Sequence, residues 1–256
     1  MPLTGLTKVA DMKSGAKILL LAGSSEAREI GASLQSMGMA VQAVVSEPPR
    51  GPNPMPVPCQ LISFDNADAL QAKAEAADLI FDPSHGFDGA MTRIGAGVAG
   101  AMGLPFATLQ RPGWQVSECA LWRSAPSVAE AMPMVMPGAR VFSATGWASL
   151  PEHAGFPGAV LFLRQTSPHD RAPPFDFVEL VFGTAPFSEA GEVELFKSLE
   201  IDLLICRNLG GRPSRPKLDA ALALDLPVIL IDRPTPPPGV EVLASVEDAL
   251  DWIGCQ

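Results

Sequence analysis

Short apolar runs alternate along this chain with stretches in which apolar residues return every third or fourth position. Lys17–Ala22 is a continuous run, the pattern of a parallel strand buried on both faces. Gly23-Ser24-Ser25 breaks it, after which Ala27, Ile30, Leu34 and Met37 recur at helical spacing up to the helix stop Gly38. Val41–Val45 completes a β-α-β unit. Gln60–Ile62, Asp78–Asp82 and Pro105–Leu109 read as further strands, and Ala67–Ala77 and Gly89–Met102 as the helices between them. The pattern lapses over Arg111–Pro137 and then resumes. Arg140–Ala144, Ala159–Arg164, Phe177–Phe182, Asp202–Cys206 and Pro227–Ile231 predict strands, and Ser188–Leu199, Lys217–Leu224 and Val246–Trp252 predict helices. Strands alternating with helices imply parallel sheets covered by helices.

The expected fold is therefore α/β, with two Rossmann-like domains, parallel sheets and a ligand cleft between them. The irregular stretch sets the expected boundary, giving domains over 16–125 and 126–256. Two proline-rich loops punctuate the pattern, Glu47–Pro58, with six prolines in twelve residues, and Pro234–Gly239. Open sheets of this kind take ligands outside the carboxyl ends of their strands.

Composition narrows the partners. The 256 residues carry a formal charge of −10, which argues against nucleic acid and against an anionic membrane surface. The uncharged stretches Ile30–Ser46 and Ile94–Gln110 are broken by glycine and polar residues, so neither reads as a membrane span. Cys59, Cys119, Cys206 and Cys255 lie far apart and predict reduced thiols in a cytoplasmic protein. With three histidines in the chain, no metal site is expected. The first residues, interrupted by Lys8, Asp11 and Lys13, lack a signal-peptide pattern.

Four segments carry candidate chemistry. Gly23, Ser24 and Ser25 stand where a small-residue turn opens a helix, a place where backbone N–H groups bind phosphate; the turn lacks the full GxGxxG pattern. Ser46, Glu47 and Arg50 follow the second strand, where an acid would bind ribose hydroxyls and an arginine a 2′-phosphate; the sequence offers both. Ser84 and His85 follow the strand ending at Asp82 and form a candidate catalytic wall, His85 being able to exchange a proton near neutral pH. Arg207, Asn208, Gly210, Gly211, Arg212, Arg215 and Lys217 lie in an eleven-residue stretch with four cations and no acid, suited to carboxylates or phosphates. Thr145, with Gly146 and Trp147, makes a polar turn that could line a flat ligand.

In this order the segments resemble the precorrin-6A reductase family of the cobalamin pathway. Gly23-Ser-Ser-Glu-Ala-Arg28 resembles the family's Gly-Gly-Thr-x-Glu-Ala/Gly-Arg turn, and Asp82-Pro-Ser-His-Gly-Phe87 its Asp-Ala-Thr-His-Pro-Phe/Tyr motif. Arg111-Pro-Gly-Trp114, Thr145-Gly146 and Asn208-Leu-Gly-Gly211 with Lys217-Leu-Asp-Ala220 match further family segments. The chain departs from the family at Gly86, Thr184 and Leu209. The resemblance implies NADPH-dependent reduction of one double bond of a carboxylated tetrapyrrole, precorrin-6A to precorrin-6B. It implies that Gly23, Ser24 and Ser25 hold phosphate and Arg50 the 2′-phosphate. It also implies that Ser84 and His85 face the macrocycle and that the basic stretch meets its carboxylates. A non-catalytic tetrapyrrole-binding paralogue and an NAD(P)H reductase of another substrate are the alternatives. The proton donor stays open between His85, another residue and water.

Overall fold

A computed structural model describes residues 15–48 and 53–256. The chain divides into two compact units, one formed by 1–111 with 234–256 and the other by 112–233.

The first unit holds β1 (Lys17–Leu21), α1 (Ser25–Ser36), β2 (Ala40–Val45), β3 (Cys59–Leu61), α2 (Asp68–Ala74), β4 (Leu79–Asp82), α3 (Gly89–Met102), β5 (Phe106–Leu109), β12 (Glu241–Leu243) and α7 (Val246–Gly254). Its six strands are all parallel, in the order β12-β5-β4-β1-β2-β3. Successive residues of β1 face opposite sides, as the pleat requires. Ile18 and Leu20 pack with Ala27, Ile30 and Leu34 of α1 and Ile253 of α7. Leu19 and Leu21 pack with Leu70 of α2 and Met91 and Val98 of α3. Helices on both faces explain why β1 is apolar throughout.

The second unit holds β6 (Trp122–Ala125), α4 (Val128–Ala131), β7 (Arg140–Ala144), β8 (Val160–Gln165), β9 (Val178–Phe182), α5 (Glu189–Ser198), β10 (Leu203–Arg207), α6 (Pro216–Ala223) and β11 (Val228–Ile231). Its parallel order is β6-β11-β10-β7-β8-β9. Phe142, Phe162, Leu204 and Leu230 meet Phe196 of α5 and Leu218 of α6 in the core of one face.

The domain limits drawn from the pattern require correction. The first unit ends at Arg111, and the chain returns to it at Pro234. Each unit completes its sheet with a strand supplied from the far side of a crossing. β6 follows β5 along the chain but pairs with β11, whereas β12 follows β11 but pairs with β5. Both strands are short edge strands; Arg123 and Ser124 are exposed in β6, and Glu241 and Val242 in β12. Neither presents the apolar run that marks a buried strand. No helix among the described residues is long and apolar enough to cross a membrane.

Candidate active site

In a doubly wound sheet the ligand-binding crevice opens where strand order reverses, at the carboxyl ends of the two central strands. That reversal lies between β1 and β4 in the first unit and between β7 and β10 in the second. The turns after these four strands hold Gly23–Ser25, Ser84–His85, Thr145 and Arg207–Arg212.

In the first unit the two turns are pressed together. A Cβ on Gly23 would lie 3.0 Å from the His85 amide nitrogen, closer than a side chain tolerates without displacing backbone. The Ser24 hydroxyl donates to the Pro83 carbonyl at 2.7 Å and accepts from the Ala27 amide as the N-cap of α1. Its oxygen is therefore occupied within the fold, and what the turn presents is backbone at a helix start. Ser25 donates to Glu26 at 2.9 Å, and Glu26 pairs with Arg111 at 2.7 Å. Ser46, at the end of β2, donates to Asp88 at 2.6 Å; Asp88 in turn caps α3 through the Met91 amide. Arg50 lies outside the described residues.

His85 Nδ1 accepts from the Phe87 amide at 3.2 Å, which leaves the proton of the neutral ring on Nε2. Beneath it Asp82 is completely buried. The Ser84 amide donates to one carboxyl oxygen at 3.0 Å, and the Thr108 hydroxyl lies 3.1 Å from the other. The side chains of Ser84 and Thr92 also reach this carboxyl; burial pushes its pKa up, while these hydrogen bonds oppose the rise. A cleft of about 300 Å³ opens above, lined among others by Ser84, His85, Thr92, Thr108, Gln110 and Thr235.

In the second unit several predicted ligand groups are taken up by the fold. The Asn208 carboxamide accepts from the Trp114 amide at 2.8 Å and donates to the Trp114 carbonyl at 3.0 Å. Gly210 has φ +65°, and a Cβ there would lie 2.1 Å from the Pro112 carbonyl oxygen. Two segments distant in sequence, Pro112–Trp114 and Asn208–Gly210, are thus clasped. Thr145 is 1% exposed, its hydroxyl 2.8 Å from that of Ser143 and 2.6 Å from that of Ser149.

The basic stretch is less positive in three dimensions than in sequence. Arg215 pairs with Glu118 and Asp219, each at 2.8 Å. Lys217 donates to the Ser214 carbonyl, and burial pushes its pKa down. Buried Cys206 next to it has its thiol pushed up to about 11, so it is no thiolate nucleophile. Arg207 is half-buried at the strand end, with Gly211 half-buried and Arg212 exposed beyond it.

Sequence reasoning missed the Glu26–Arg111 pair and the buried Arg164–Glu192 pair, whose atoms are 3.0 Å apart. Arg164 also lies over the rings of Phe142 and Phe187. Its signal was a charge ending an otherwise apolar strand, Val160-Leu-Phe-Leu-Arg164.

The family model for the precorrin-6x reductase CbiJ/CobK matches residues 17–254. A precorrin-6A reductase of Rhodococcus erythropolis is 34% identical over 93% of this chain and 97% of that protein. One from Rhodobacter capsulatus is 28% identical over 93% and 95%. A solved structure, CobK precorrin-6A reductase, superposes with a TM-score of 0.83 at 27% identity, covering 94% of this chain and 97% of that one.

Proposed function

Because the chain belongs to the precorrin-6x reductase CbiJ/CobK family, we propose that it reduces precorrin-6A to precorrin-6B with NADPH as the reductant. The observation that carries this reading is the placement of the family's motif residues: they fall on the turns at the reversal point of each sheet. The first unit fits a dinucleotide. The close approach of Gly23 to the His85 amide leaves a side-chain-free turn at the start of a twelve-residue helix, where backbone N–H groups favour a pyrophosphate.

In this reading Gly23 and the backbone of Ser24 and Ser25 hold the phosphates. Ser46 and Arg50 belong to the adenosine end, Arg50 meeting the 2′-phosphate. Bound NADPH supplies the hydride. Ser84 and His85 stand beside the reacting region, and the Nε2–H of His85 is available to a substrate atom. Arg207 and Arg212 meet carboxylates of the tetrapyrrole. Asn208, Gly210 and Gly211 shape the loop that carries those arginines, Lys217 braces that loop through Ser214, and Thr145 braces the turn after β7.

The test is an absorbance assay of the purified protein with precorrin-6A and NADPH. Equimolar loss of the dihydronicotinamide band and a shift of the macrocycle spectrum are expected. NADPH binding without turnover would assign a different substrate, and absence of nucleotide binding would overturn the reading.

A further inference from the structure

Asp82 is a carboxyl completely withdrawn from solvent, and none of the partners that hold it is a cation. A carboxyl in that position is costly unless its lone pairs are satisfied, and packing alone is served as well by an apolar residue. The donors that satisfy it come from three separate elements. Ser84 contributes from the turn after β4, Thr92 from the first turn of α3 and Thr108 from β5. Those three residues are also part of the cleft wall, facing Gln110, Pro234 and Thr235 across it. The buried carboxyl thus ties together the floor of a cavity from behind.

The place of the cavity in the sheet says what it suits. A dinucleotide-binding sheet consists of two mononucleotide-binding halves that meet at the reversal point, where the pyrophosphate lies. The β1–β2 half, with the phosphate turn, takes the adenosine portion. The cleft stands instead at the carboxyl ends of β4 and β5, in the other half. Its lining offers hydroxyls and a carboxamide beside the flat faces of Pro234 and Pro236. These match a ring bearing a carboxamide and a ribose.

We propose that Asp82 is a positioning residue of a nicotinamide subsite, fixing Ser84, Thr92 and Thr108 so that the wall they form receives the ring half of the dinucleotide. The proposal rests on the reading of the first unit as the dinucleotide-binding one. The segment Pro234–Pro236, where the chain re-enters this unit, closes the subsite. The crossing of the chain therefore contributes to the cofactor site as well as to the sheet.

The test is calorimetric titration of the full chain with two probes, NADPH and 2′-phospho-ADP-ribose, which lacks the ring. Asp82→Asn keeps the shape of the side chain but turns one of its acceptors into a donor. It is expected to weaken NADPH about tenfold, a loss of roughly 1.4 kcal/mol, and to change the ring-free probe less than about twofold. Gln110→Ala, at the cleft wall, is expected to show the same split with a smaller loss, and it serves where Asp82→Asn fails to fold. Equal weakening of both probes, or an unchanged NADPH affinity in both variants, would overturn the proposal. If the unsubstituted protein binds neither probe, the dinucleotide reading itself falls, and the subsite with it.

Discussion

Arg111 donates to Glu26 across 2.7 Å, joining the residue at the first crossing of the chain to the first turn of α1. The pair matters because Glu26 is an acid placed where a pyrophosphate is proposed to sit, and it is mostly buried. Arg111 neutralises it. Arg111→Met leaves that carboxylate uncompensated, and NADPH affinity should fall about tenfold or more. Adding Glu26→Gln to the same chain should restore most of the loss. Titration of the single and double variants checks this; a double variant as weak as the single one would mean that Arg111 acts on the nucleotide directly.

Gly210 tests the clasp in the second unit. Alanine there must hold φ near +65° and meet the Pro112 carbonyl oxygen at 2.1 Å. The backbone has to move, so the folded state should lose more than about 2 kcal/mol in urea denaturation. A loss within about 0.5 kcal/mol would show that the loop relaxes freely.

Much of this fold is legible in the sequence, and the exceptions share a cause. Strands buried on both faces, such as Lys17–Leu21 and Val228–Ile231, carry continuous apolar runs that show their place. The edge strands Trp122–Ala125 and Glu241–Leu243 have no such run, and with them the exchange between the two sheets went unseen. The site divides in the same way. Composition at strand ends located the turns holding Gly23, Ser84, Thr145 and Arg207. It did not show which side chains the fold would occupy. The hydroxyls of Ser24 and Thr145 and the carboxamide of Asn208 are polar groups at the right turns, yet each is bonded inside its own unit. Acids remote from the basic stretch, Glu118 above all, were equally invisible until folding brought them to Arg215.

The Arg164–Glu192 pair should be necessary to stability as a pair. Both side chains are at least nine-tenths buried. Arg164→Met alone strands the Glu192 carboxylate and should cost about 3 kcal/mol or more. Arg164→Met with Glu192→Leu should recover most of it, because the site is otherwise built of Phe142 and Phe187. Urea denaturation of the two chains decides; equal losses would show that the cation–ring contacts dominate.

Asp82 gives a pH dependence of known sign. Burial raises its pKa above the ordinary 3.8, so the folded chain binds that proton more tightly than the unfolded chain. Its contribution to stability is complete below the ordinary value and is lost as pH rises through the folded value. Asparagine cannot titrate. Relative to the unsubstituted chain, Asp82→Asn should therefore be most destabilised at about pH 4 and less so at about pH 7. A deficit that grows toward neutral pH in parallel urea titrations would contradict the assignment.

Arg212 is the exposed cation of the basic stretch. Arg212→Ala should raise the KM for precorrin-6A several-fold, as for a lost charge-assisted contact, and leave NADPH affinity unchanged. An unchanged KM would return the residue to a solvated loop.

The most direct measurement of the central claim is isotope transfer. Precorrin-6A is incubated with the protein and NADPH deuterated at the transferable position, and the product is weighed by mass spectrometry. The account predicts one deuterium carried from the nucleotide into the macrocycle, and, with light NADPH in heavy water, one deuterium taken from solvent. A macrocycle of unchanged mass, with the nucleotide still reduced, would contradict it.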